Sequence, residues 1–261
     1  MKMIVCLFLS VVFAGYARAQ AELSPELRPF LLPGYSALDS RSGDLNGDGK
    51  KDAILILKRD DEDSLMEEEP VRPFLILIRD GRGQLKQSVR NDSLVMCRYC
   101  GGVFGDPYAD LEISNKGFTI FFYGGSGWRW SYDYRFNYDA VKKDWYLAKE
   151  TLNSFQSGDP ENTREETIIT KEELGNISVR DFSAGHNYEY SAWTVTAPKS
   201  YFYNTPKLGS TPRKGYVVKG NTVSVSRVLK NFVWASYETA NGEISSGFLL
   251  KKDLRKPTTT H

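Results

Sequence analysis

The 261-residue sequence predicts a mainly β protein made of two successive β-rich blocks. Three observations predict it. Short apolar or alternating runs recur along the chain, each closed by turn residues. The content of 15 Tyr, 14 Phe and 5 Trp suits two cores built from strands. A polar stretch, SGDPENTREE at 157–166, parts the two run-rich segments. The expected organisation is therefore a leader at 1–19, an antiparallel β-domain over 20–150, a polar connector over 151–190 and a small β-rich domain over 191–256.

Taken in order, the first element is an export signal. MKMIVCLFLSVVFAGYARA has a Lys near its start, an apolar run from Met3 to Phe13 and a small-x-small end at Ala17-Arg18-Ala19, the layout of a secretory signal peptide. Cys6 lies inside the apolar run, without the small-residue context that precedes a lipid-modified cysteine, so a free exported protein, periplasmic or secreted, is expected. The run is too short to span about 30 Å of hydrocarbon, and no membrane span is expected after cleavage. Cleavage removes two of the 34 Lys+Arg and none of the 33 Asp+Glu, leaving 32 against 33, or −1. Such a balance carries no basic excess to neutralise phosphates, so a nucleic-acid partner is excluded as an expectation. Two histidines, one of them terminal, leave little for histidine-centred acid–base chemistry.

Strands are expected at Ala53–Lys58, Pro73–Arg79, Phe118–Tyr123, Trp128–Tyr138 and Asp144–Ala148, separated by turns such as Asp80-Gly81 and Asn115-Lys116-Gly117. Arg59–Pro70 is acidic and interrupted, and reads as a solvated loop. Lys171–Leu174 fits one helical turn. In the second block, strands are expected at Tyr216–Val218, Thr222–Val228, Val233–Tyr237 and Gly247–Leu250.

The sharpest motif is DLNGDGKKD at 44–52, which leads directly into AILIL. Asp44, Asn46, Asp48 and Asp52 place oxygens at positions 1, 3, 5 and 9 of a tight loop, the Lys50 carbonyl can add another, and Gly49 at position 6 permits the turn. Ca2+ needs six to eight such oxygens. The alternative is a metal-free turn rich in Asp and Asn. Because the loop enters a strand and not a helix, it resembles the calcium loops of FG-GAP and VCBS repeats. It occurs once, so a propeller, which needs several blades, is not expected. The resemblance implies a calcium ion that pins a hairpin.

Cys97 and Cys100, the only cysteines after the leader, stand as C-x-x-C in CRYCGGVFGDP. Zinc would need two further ligands, which His186 alone does not supply. A thioredoxin-like pair needs a helix start within a βαβ frame, and Gly101, Gly102 and Pro107 argue for a loop. A local structural disulfide, or a pair of thiols, is the remaining reading. In WRWSYDYRFNY at 128–138 every even position is aromatic and every odd one polar, so all six rings lie on one face of a strand. That face is either core or an exposed stacking platform for sugars; its apolar area favours core.

From Thr196 to Leu254 the segments TAPKSYFYNTP, RKGYVVKGNTVSV, NFVWASYE and GFLLKKDL resemble the bacterial SH3 (SH3b) pattern: an opening strand, a G-x-x-x-K-G-x-x-V-x-V hairpin, an aromatic strand and a closing strand. Phe248 and Phe232 stand where the family has Trp. The resemblance implies a small SH3-like β-barrel whose groove, lined by Tyr201, Tyr203 and Trp234, binds a cell-wall peptide or an exported protein partner. The expected function is a non-enzymatic binding or adaptor protein of the bacterial envelope. The alternative is an inhibitor or immunity-type protein that caps an exported enzyme with the Gly-rich loops at 101–107 and 124–127. An enzymatic reading is weakest, because no nucleophile–base pair is legible and no G-x-S-x-G context surrounds a serine.

Overall fold

The computed structural model describes residues 23–65, 70–184 and 191–257; the leader, His186 and His261 lie outside the described residues. The protein is mainly β, with three antiparallel sheets in succession along the chain. The first sheet holds β1 (Tyr35–Gly43), β2 (Asp52–Arg59), β3 (Phe74–Arg79) and β4 (Leu85–Asn91), side by side in chain order. Its two central strands are apolar at every position from Ala53 to Leu57 and from Phe74 to Leu77 because both of their faces are covered. Leu55, Leu57, Leu75 and Leu77 face the N-terminal segment, where a short 3-10 turn over Pro25–Phe30 lays Leu27 on the sheet. Ile54, Ile56, Phe74 and Ile76 face the main core.

The second sheet runs β5 (Tyr108–Ser114), β6 (Gly117–Gly125), β7 (Trp128–Asp139), β8 (Asp144–Gln156) and β9 (Glu165–Thr170), again in chain order. A helical turn, α1 (Pro160–Thr163), links β8 to β9, and a second, α2 (Lys171–Leu174), follows β9. Leu111, Phe118, Ile120, Phe122 and Phe136 pack against the first sheet, with Phe118 stacked on Phe136 at 5.0 Å between ring centroids. The neighbouring edges β1 and β5 are tied by polar contacts. The Tyr108 hydroxyl donates to Asp39 Oδ2 at 2.7 Å, and Arg41 reaches Asp110 at 2.8 Å. Burial, reinforced by the Asp39 carboxylate, pushes the Tyr108 phenol well above its ordinary range.

The third sheet is ordered β15 (Ile244–Leu250), β14 (Phe232–Glu238), β13 (Thr222–Val228), β10 (Ser191–Val195) and β16 (Leu254–Arg255), and β11 (Lys199–Tyr201) pairs separately with β12 (Tyr216–Val218). Trp193, Val195, Phe202, Val217, Val223, Val225, Val233 and Leu249 form its own core. Leu229, Phe232 and Phe248 instead join the main core, so this unit is packed onto the second sheet.

Two expectations need correction. Residues 151–170 are not a connector: 151–156 complete β8 and 165–170 form β9. The polar character of 165–170 suits the outer strand of a sheet, where an edge meets water. Strands β1, β4 and β5 were not expected at all, because YSALDSRSG, LKQSVRN and YADLEIS lack a clean apolar alternation; their sheet neighbours impose the conformation.

Candidate functional site

Two places gather chemistry. The first is the β1–β2 connection. Gly43 and Asp52 form the last pair of the hairpin, so residues 44–51 make the turn. Gly49 sits at φ +78°, a left-handed conformation that costs glycine nothing. Carboxylate oxygens of Asp44, Asp48 and Asp52 all lie within 4.8 Å of one another. Asp44 accepts N–H groups of Gly47 (2.6 Å) and Gly49 (3.0 Å), and Asp48 accepts that of Lys50 (2.9 Å). Asp52, wholly buried, accepts Leu45 N–H at 3.1 Å and Arg79 N–H at 2.9 Å.

Burial raises the Asp52 carboxyl, the two N–H donors oppose this, and the charges of Asp48 and Asp44 add to it. Lys50 Nζ lies 3.2 Å from Asp48 Oδ2. The donor set is all oxygen, and each carboxylate keeps lone pairs beyond those its N–H donors occupy, so these residues fit a hard divalent cation. The side-chain oxygen of Asn46, expected as a further ligand, accepts Asp48 N–H at 2.9 Å, as the carboxylates of Asp44 and Asp48 accept theirs. The loop is also pinned to the second sheet. Leu45 is fully buried in the main core, and the Trp145 indole N–H donates to the Leu45 carbonyl at 2.9 Å.

The second place is a cleft of about 760 Å³ between the second and third sheets. One wall is built in register by β7, β8 and β9. Tyr134, Glu150 and Ile169 form its floor and are buried; Tyr132, Leu152 and Thr167 form a half-buried middle row; Trp130, Ser154 and Glu165 form the open rim. Trp130 and Tyr132 stack at 4.9 Å with 19° between planes. Trp130 lies so close over Gly124 that a Cβ there would meet the indole at 2.5 Å, which is why residue 124 carries no side chain. The other wall comes from the third sheet and the 203–213 segment, with Tyr203, Trp234, Phe248 and Arg213. Trp234 meets Phe248 edge-on at 4.8 Å. At the floor, Arg227 of β13 grips both carboxylate oxygens of Glu150, whose side chain is 1% exposed. This ion pair joins the two walls.

Of the three aromatic residues expected to line a groove, Tyr203 and Trp234 lie in the cleft. Tyr201 does not; it packs against Tyr216 at 5.7 Å, with Lys199 Nζ 3.6 Å from the Tyr216 ring centre. The stripe at 128–138 divides: Phe136 and Tyr134 are core, whereas Trp130 and Tyr132 face the cleft and Trp128 is exposed.

Cys97 and Cys100 form a disulfide with 5.2 Å between Cα atoms. Beside it, Arg72 is fully buried, bidentate to both Glu62 and Asp106 and donating to the Met96 carbonyl. Burial works against its charge, but the two carboxylates outweigh that and hold it firmly protonated. The Gly-rich loops lock together through Gly101 N–H to Gly105 O, Gly125 N–H to Gly101 O and Val103 N–H to Gly125 O, and leave Val103, Phe104 and Trp128 exposed.

No family model, curated protein or solved structure matches the chain. Among the described residues, no helix is long and apolar enough to cross a membrane.

Proposed function

We propose that the chain is an exported, non-enzymatic binding protein that takes a cell-wall peptide in the cleft between its second and third sheets, with calcium held by Asp44, Asp48 and Asp52 as a structural pin. The observation that carries this reading is the cleft itself. Aromatic rings from both walls, Trp130 and Tyr132 opposite Tyr203 and Trp234, supply apolar contact, while Glu165, Arg213 and Ser154 are among the polar groups that orient a ligand. The resemblance of the sequence at 196–254 to the SH3b pattern and the signal-like layout of residues 1–19 support the same reading. The disulfide fits an oxidising compartment.

Retention of the purified protein on peptidoglycan, and saturable binding of soluble wall peptides by calorimetry, test this reading. Trp234→Ala is expected to weaken binding at least tenfold, since removing a central aromatic anchor commonly costs upwards of about 2 kcal/mol. Failure of the parent protein to bind either material would refute it.

A second reading is favoured by the patch on the interlocked glycine loops, where Val103 is 73% and Trp128 53% exposed. A protein that caps an exported enzyme would present such a rigid apolar knob. Capture from an envelope fraction separates the two, one giving wall material and the other a single stoichiometric enzyme.

A further inference from the structure

Resting on the peptide reading above, we infer that the ligand is a short extended peptide that adds a strand to the free edge of β9, placing a cationic amine on Glu165 and its terminal carboxylate on Arg213. Three observations converge on this. First, β9 is the last strand of its sheet, and among the described residues no backbone group from Glu165 to Ile169 bonds to anything but β8. Such an edge is a template for an incoming chain, main-chain bonds giving affinity and alternate side chains specificity.

Second, Glu165, Glu166 and Thr167 all border the cleft. Glu165 and Thr167 share the cleft face with Ser154 and Leu152, their partners on β8, so a strand added at the edge of β9 would extend the same wall. The competing edge in the cleft is already occupied. On β15, the Phe248 backbone exchanges two hydrogen bonds with Tyr203, and the Ser246 carbonyl accepts from Arg213.

Third, the charges are arranged at two ends. Glu165, on the cleft face, is exposed and carries no ion pair among the described residues, whereas the acidic floor residue, Glu150, is matched by Arg227. Across the cleft Arg213 spends Nη1 on the Ser246 carbonyl and is exposed. A carboxylate at the β9 end and a guanidinium opposite suit a peptide with an amine at one point and a free C-terminus at another.

The test uses the full mature protein and one synthetic pentapeptide of the wall type, with a lysine amine and a free C-terminus, alongside its Nε-acetylated and C-amidated forms. The quenching of tryptophan fluorescence reads the dissociation constants. Acetylation is expected to weaken binding about tenfold, the effect of losing one charge-assisted contact. In Glu165→Gln the acetylated and free peptides should bind alike, and in Arg213→Gln the amidated and free peptides should. Equal binding of all three peptides by the parent protein would overturn this inference and leave the cleft reading standing. Binding of none of them would overturn both. A Thr167→Pro variant, matched in melting temperature to the parent, should lose binding if the edge accepts a strand; unaltered binding would contradict strand addition.

Discussion

At the scale of single residues, the account turns on buried charges that have partners. Arg72 is wholly buried between Glu62 and Asp106, and the Glu62 side chain is only 2% exposed. Arg72→Met would leave the Glu62 carboxylate without its partner in a low-dielectric site, a loss of about 3–5 kcal/mol. Chemical denaturation should show it as a lower midpoint at unchanged slope. Asp133 behaves oppositely. Burial raises its carboxyl, Lys149 pulls it back and Glu166 pushes it further up. A folded-state value above the unfolded one means the native chain holds that proton more tightly. Stability from this group is therefore fully present below the ordinary carboxylate range and is lost as pH rises through it towards the raised folded value. Asp133→Asn should melt above the parent at pH 7 and no higher at pH 3; a gain that persists at pH 3 would contradict the assignment.

At the scale of elements, the β1–β2 loop carries the metal proposal. For the proposed calcium site the expected dissociation constant is that of extracellular modules, about 10⁻⁴–10⁻³ M. At one hundred times that constant, binding to the native state adds about 2.7 kcal/mol. Melting with and without calcium should therefore differ by several degrees, and Asp48→Ala should abolish the difference. An unchanged midpoint at saturating calcium would remove the ion from the account.

Much of this element was legible in the chain, because DLNGDGKKD confines its chemistry to nine consecutive residues. The central strands β2 and β3 were legible for a similar reason, their unbroken apolar runs. The role of Asn46 was not, since a side chain that braces the loop and one that ligates an ion share the same spacing. The cleft was legible only in part. The alternation at 128–138 put six rings on one face, but where the core ends and the cleft begins depends on how far the third sheet reaches over that face. Glu150 and Arg227 are 77 positions apart, and no local pattern announces such a pair.

At the scale of the whole molecule, the third sheet is not an appendage. Leu229, Phe232 and Phe248 share a core with Trp145 and Phe136, and Glu150 to Arg227 ties the floor of the cleft across the seam. Unfolding should accordingly be one calorimetric transition. Glu150→Ala, which strands Arg227 against the seam, should lower stability by roughly 3 kcal/mol; two separated transitions in the parent would show that the sheets fold apart. The cleft exists only because both units are held in this arrangement, so its binding should fall in step with the seam.

The central claim is that this cleft is a ligand site, and calorimetric titration of soluble wall peptides into the parent protein and into Trp130→Ala and Trp234→Ala tests it most directly. The account predicts one site per chain in the parent and at least tenfold weaker binding in each variant at matched melting temperature. Binding that is absent from the parent, or unchanged in both variants, would contradict it.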